Sequence, residues 1–93
     1  MLVLVKSGPD TAEGKRGISI ARAMTANLVL IQNGVYFGIA KRLEGFPGTI
    51  YILDEDSKLR GLSDDAISKD VRKLDYEGLV DTITEEDKVV GMF

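Results

Sequence analysis

Three stretches of this 93-residue chain carry residue types that could do chemistry. The first, Gly8 to Lys15, reads GPDTAEGK, a glycine-bounded loop closed by a lysine. A phosphate-cradling P-loop sets four residues between its glycines and follows the lysine with Ser or Thr, whose hydroxyl reaches magnesium. Here five residues intervene and Arg16 stands in the hydroxyl position. The stretch therefore reads better as a strand-to-helix connection with Asp10 as the helix cap and Glu13 closing a capping box. The second stretch is Asp54, Glu55 and Asp56, hard oxygen ligands suited to magnesium. Carboxylates there also cap a helix and favour its N-terminus. The capping reading is preferred, because nothing else in the chain supplies a phosphate substrate for a metal. In the third, Gln32-Asn33-Gly34, the amides could bind a ligand while glycine lets a backbone approach. Asn33 as a cap, with Gly34 relaxing the turn, explains the same residues. Neither a metal nor a cofactor is expected.

What is missing narrows the chemistry further. The chain has no cysteine, histidine or tryptophan, so thiolate nucleophiles, thiolate or imidazole ligands and a proton shuttle near neutral pH are all absent. Fifteen acidic residues against twelve basic ones give a net charge of -3, a field that repels a phosphate backbone. Direct nucleic-acid binding is not expected, although Lys15, Arg16 and Arg22, or Lys41 and Arg42, could form a local basic patch. The aliphatic runs are far shorter than the ~20 residues of a membrane-spanning helix, and no leader segment is read before the first run. Absence of thiols agrees with a cytoplasmic location.

Strands and helices must position these residues. Leu2 to Val5, Leu28 to Ile31 and Ile50 to Leu53 are continuously apolar, as expected of parallel strands covered on both faces. Val71 to Leu74 reads as a more polar edge strand, and KVVGMF as a final short one. A helix carrying Ile18, Ala21, Ala23 and Met24 should join the first two strands. Its Gly14 and Gly17 either share a face where another backbone comes close or fray the first turns. A second helix is predicted after Gly34, with Val35, Phe37, Ile39, Ala40 and Leu43 apolar, stopping at Gly45. Asp54 or Asp56 should cap a short turn through Leu59, ended by Gly61. The segment LSDDAISKD has no period that places it. Asp75 should cap a last helix whose Tyr76, Leu79, Val80 and Ile83 form one buried face. This alternation indicates one α/β domain over residues 1–93, since a second core needs a much longer chain. In such folds ligands gather beyond the carboxyl ends of the strands. Lys6, Ser7, Gln32, Asn33, Gly34 and Asp54 would line that rim.

LVLIQNGV, then YILDEDSKLRGLS, then KLDYEGLVD resemble the DsrH/TusB family of small sulfur-relay subunits. The matching residues are Gln32, Asn33, Gly34 and Val35, then Glu55, Asp56, Arg60, Gly61 and Leu62, then Asp75 and Tyr76. The resemblance implies a three-layer α/β/α sandwich with a mainly parallel five-stranded sheet, DsrEFH-like. It also implies work beside homologous DsrE/DsrF-like or TusC/TusD-like subunits that pass persulfide sulfur between proteins, in the Tus branch toward the wobble uridine of transfer RNA. Some family members and their DsrE-like partners carry a cysteine that this chain lacks, so the expected role is non-catalytic. Docking of homologous subunits, or of further copies of the chain, is expected to use Tyr36, Phe37, Phe46, Met92 and Phe93. For Phe37 a place in the core is the preferred alternative. The alternative function is a small-ligand or nucleotide-binding regulator that uses the strand-end rim.

Overall fold

Residues 1–93 are described by a computed structural model. Five four-residue segments become strands, in which alternate side chains point to opposite faces of the sheet. They are β1 (Leu2–Val5), β2 (Asn27–Leu30), β3 (Ile50–Leu53), β4 (Val71–Leu74) and β5 (Val89–Met92). The sheet order is β4-β3-β2-β1-β5, and every pairing is parallel. The more polar β4 is an edge strand, as its sequence indicates.

Helix α1 (Ala12–Ala23) links β1 to β2. Its cap is Thr11, one residue later than expected: the Thr11 Oγ1 accepts from the Gly14 N–H at 3.0 Å and donates to the Gly8 carbonyl at 2.7 Å. That shift leaves Glu13 one position short of a capping box. Gly14 and Gly17 do mark a close approach. A Cβ on Gly17 would lie 2.7 Å from Phe93 Cβ and 2.8 Å from Val5 Cγ2, and one on Gly14 would lie 2.7 Å from the Ser7 carbonyl oxygen. Ile18 and Ala21 are buried, whereas Ala23 and Met24 are exposed.

The predicted second helix is replaced by a short 3-10 helix, Gln32–Gly38. Ile39 is extended and bridges Ile67, and Ala40 and Lys41 take left-handed φ values of 57° and 54°. Two consecutive residues there cannot continue a right-handed helix. Helix α2 (Asp54–Leu59) starts directly from β3 with Leu53 as its cap position, so neither Asp54 nor Asp56 caps it. Gly61, at φ +71°, ends it as expected. Helix α3 (Tyr76–Glu85) is capped by Asp75, whose Oδ1 accepts from the Gly78 N–H at 2.7 Å. No helix is long and apolar enough to cross a membrane.

The sheet separates two apolar clusters. On the α1 side, Val3, Val5, Leu28, Leu30, Ile50 and Ile52 meet Ile18, Ala21, Val35, Phe37, Leu43 and Ile67. On the other side Leu2, Leu4, Val29, Ile31 and Leu53 are covered by Leu79, Ile83 and Tyr51. Helix α3 itself has no fully buried residue. Its expected four-residue buried face is split: Leu79 and Ile83 meet the sheet, while Tyr76 and Val80 are 54% and 61% exposed. Both pairs are spaced i, i+4, and a helix crossing a flat surface presents only one such stripe to it.

Candidate functional site

The rim beyond the strands is built around the turn that ends β2. The Gly34 N–H donates to the carbonyls of Ile31 at 2.8 Å and Lys6 at 3.1 Å, tying this turn to the end of β1. A Cβ at position 34 would be driven into the Val5 carbonyl, so only glycine allows the two backbones to come together. Gln32 has a left-handed φ of 47°, an arrangement costing about 1 kcal/mol or more that neighbours must hold. Its N–H donates to Oδ2 of the buried Asp56 at 2.6 Å, a charge-assisted bond. Arg60 closes the arrangement: its Nε donates to Asn33 Oδ1 at 2.9 Å and its guanidinium also reaches the Asp56 carbonyl at 3.2 Å. The backbone just beyond β1 and β2, the 3-10 helix and α2 are thereby locked into one polar network.

This network gathers Lys6, through its backbone, with Gln32, Asn33 and Gly34. Ser7 is tied instead to the chain end, its N–H donating to the Phe93 carbonyl at 3.2 Å. Asp54 is engaged within α2: its Oδ2 pairs with Lys58 one turn along at 2.9 Å, and its Oδ1 is shielded from solvent without a hydrogen-bond partner. The bond to Asp54 holds the Lys58 ammonium above its ordinary pKa. The three carboxylates of the acidic stretch thus diverge, with Asp56 serving the Gln32 backbone. The rim holds no thiolate and no imidazole; its groups donate and accept hydrogen bonds from a fixed frame.

Of the aromatic residues expected on a docking surface, Phe37 lies in the α1-side core at 6% exposure. Its ring is consumed in packing there and is not available to a partner. Phe46 and Phe93 are partly buried against the same core, with the Arg22 guanidinium 5.5 Å from the Phe46 ring centroid. Tyr36 is half-buried, and Met92 is 53% exposed. Sequence reasoning missed a different group. Leu59, 75% exposed, shares a cavity with Tyr76, and the acidic residues Asp54, Glu55, Asp75 and Glu77 rim it. Val80 continues this surface one turn along α3. The signal was present in the i, i+4 pair Tyr76 and Val80, which is surplus to the stripe a sheet can bury.

The chain belongs to the DsrH-like protein family, whose model matches residues 16–89. The resemblance carried by QNGV, the EDSKLRGL stretch and DY is thereby borne out. Over nearly its whole length the chain is also similar to the protein Tm0979 from Thermotoga maritima, known from a solution NMR structure. The two are 31% identical over 98% of this chain and 100% of that one, with a TM-score of 0.67. The crystal structure of the ychN protein from E. coli superposes with a TM-score of 0.81 over 99% of this chain and 97% of that one; at 16% identity this is a likeness of fold alone. No curated protein matches the chain. Membership of the DsrH-like family supports its assignment as a sulfur-relay subunit that works with protein partners.

Proposed function

We propose that this chain, read as one domain over residues 1–93, is a non-catalytic subunit of a cytoplasmic sulfur-relay assembly. In this reading it docks homologous DsrE/DsrF-like or TusC/TusD-like subunits, or copies of itself, and the relay serves thiolation of the transfer-RNA wobble uridine. The observation that carries it is the absence of any cysteine in a member of a sulfur-relay family. Mobile sulfane sulfur needs a thiolate to hold it, so the contribution of this chain lies in shape and contact.

The α2–α3 surface is the docking face in this reading. Leu59, Tyr76 and Val80 leave large apolar side chains in solvent, which is where a partner would gain most by excluding water. Its acidic border suits a partner with a basic rim.

The test is to co-express the chain with a cysteine-bearing DsrE-like protein, load sulfur from a persulfide donor and locate the label. Sulfur should appear on the partner alone, and Val80→Glu should abolish co-purification while the isolated variant stays folded. Covalently held sulfane sulfur on the isolated chain would overturn the reading. Loss of the gene should also lower the 2-thiouridine content of bulk transfer RNA; an unchanged content removes the transfer-RNA part.

A further inference from the structure

The stretch GPDTAEGK is unexplained by a docking role. In the folded chain it walls one side of a cavity of about 860 Å³ beyond the carboxyl ends of β1 and β2, with Asn33, Tyr36 and Arg42 on the other side. Lys15 and Arg42, far apart in sequence, are thus brought to one concave site. Neither takes part in any ion pair. Asp10 is the one carboxylate of the lining, so two cations face one anion in a protein whose net charge is -3.

Neutral donors point to the same kind of ligand. Arg60 occupies the Asn33 side-chain oxygen, which fixes the amide orientation and leaves its NH₂ group as the end able to serve a ligand. The Tyr36 hydroxyl, at the half-buried wall, is a further donor. By contrast, the Thr11 hydroxyl is already consumed by the α1 cap and the Gly8 carbonyl. We propose that this cavity binds a small organic molecule carrying a phosphate-like oxyanion, held by Lys15 and Arg42 and oriented by Asn33 and Tyr36. Its volume lies within the ~300–1,000 Å³ usual for small-molecule sites, whereas a polyanion would call for an open basic strip. Arg42 provides a planar fork for two oxyanion oxygens and Lys15 a point charge. The Asp10 carboxylate, with Oδ1 only 3.1 Å from where a Cβ on Gly8 would stand, sets the edge that the oxyanion must avoid. This site stands beside the docking role and does not depend on it.

The experiment titrates the full chain with phenyl phosphate and, separately, with inorganic phosphate, by calorimetry at low ionic strength. Phenyl phosphate should bind saturably and more tightly than inorganic phosphate. The double substitution Lys15→Gln with Arg42→Gln should weaken it about tenfold or more, two charge-assisted contacts being lost. Asp10→Asn should tighten it, and Arg72→Gln on the distant edge strand should leave it unchanged. Proton–nitrogen correlation spectra establish that each variant is folded. Absence of saturable binding, binding undiminished in the double variant, or equal loss in Arg72→Gln each overturns the site. Equal affinity for both probes, or tighter binding of a short oligonucleotide, overturns its assignment to a small organic molecule.

Discussion

The two faces of the sheet are made by the same strands yet finished to different degrees. On one, the even-spaced side chains of β1, β2 and β3 meet α1, the 3-10 helix and the loops around Leu43 and Ile67, and fourteen residues are buried together. On the other only five are, because the connection from β4 to β5 must span the whole sheet with α3. A helix with its side chains is about 10 Å wide, and five strands are about 19 Å across. One helix cannot roof that width. The comparison assigns stability to the α1 face and leaves apolar side chains exposed on the α3 face, where the proposed docking would take place.

The largest effect should come from the closed face. Leu30→Ala, at a fully buried site, is expected to lower unfolding stability by about 3 kcal/mol in urea. Leu79→Ala on the open face should cost about 1 kcal/mol, in line with partial burial. Equal losses would break the contrast. Next comes Gly34→Ala at the junction of β1 and β2, expected to cost about 2–3 kcal/mol because the added methyl displaces a backbone carbonyl. Its midpoint in a thermal melt should fall with that of Leu30→Ala.

Smaller again is Asp56→Ala, which strands the Gln32 N–H and should cost about 1–2 kcal/mol. Hydrogen exchange should speed up at Gln32 first, since Asp56 is its recorded partner. Val80→Ser should change the isolated chain by less than about 0.5 kcal/mol, yet weaken co-purification of a partner; a large loss of intrinsic stability would show that α3 is part of the core after all. The least effect belongs to the β4 edge, where Asp64 pairs with Lys73. That hydrogen bond and the lysine charge hold the Asp64 carboxyl below its ordinary value of 3.8. Because the folded-state pKa is depressed, the pair stabilises above the ordinary carboxyl range and its contribution fades as pH falls through the lowered value. Lys73→Met should return the Asp64 titration, followed by carbon NMR, toward 3.8.

Much of this architecture was legible before folding. Strands β1 and β3 lie at the residues their aliphatic runs indicate, β4 lies where the more polar edge strand is expected, and β2 lies one residue earlier than its run. Asp75 caps α3 because the next helical run begins immediately after it. The misplacements have local causes. Thr11 took the cap because an extended residue directly before Ala12 serves the Gly14 N–H better than Asp10 can. The apolar spacing from Val35 to Leu43 imitated a helix, but the left-handed pair Ala40 and Lys41 and the Ile39 bridge to Ile67 answer to tertiary contacts. For Phe37 the sequence offered both a docking surface and, as the preferred place, the core, and the structure puts it in the core.

By itself the sequence determined the chemical limits and the alternation of elements: without a thiol there is no thiolate to carry sulfur, without an imidazole the usual proton shuttle near neutral pH is missing, and runs of branched aliphatics have few stable choices other than covered strands. Only the tertiary structure decided which side chains share a site. Arg60 meets Asn33, Asp56 meets the Gln32 backbone, and Lys15 lines the same cavity as Arg42 because strand order sets which turns lie side by side. Periodicity records a residue's own element, whereas such meetings depend on the register between elements, and the exposed stripe of α3 depends on how wide a sheet that one helix must cover.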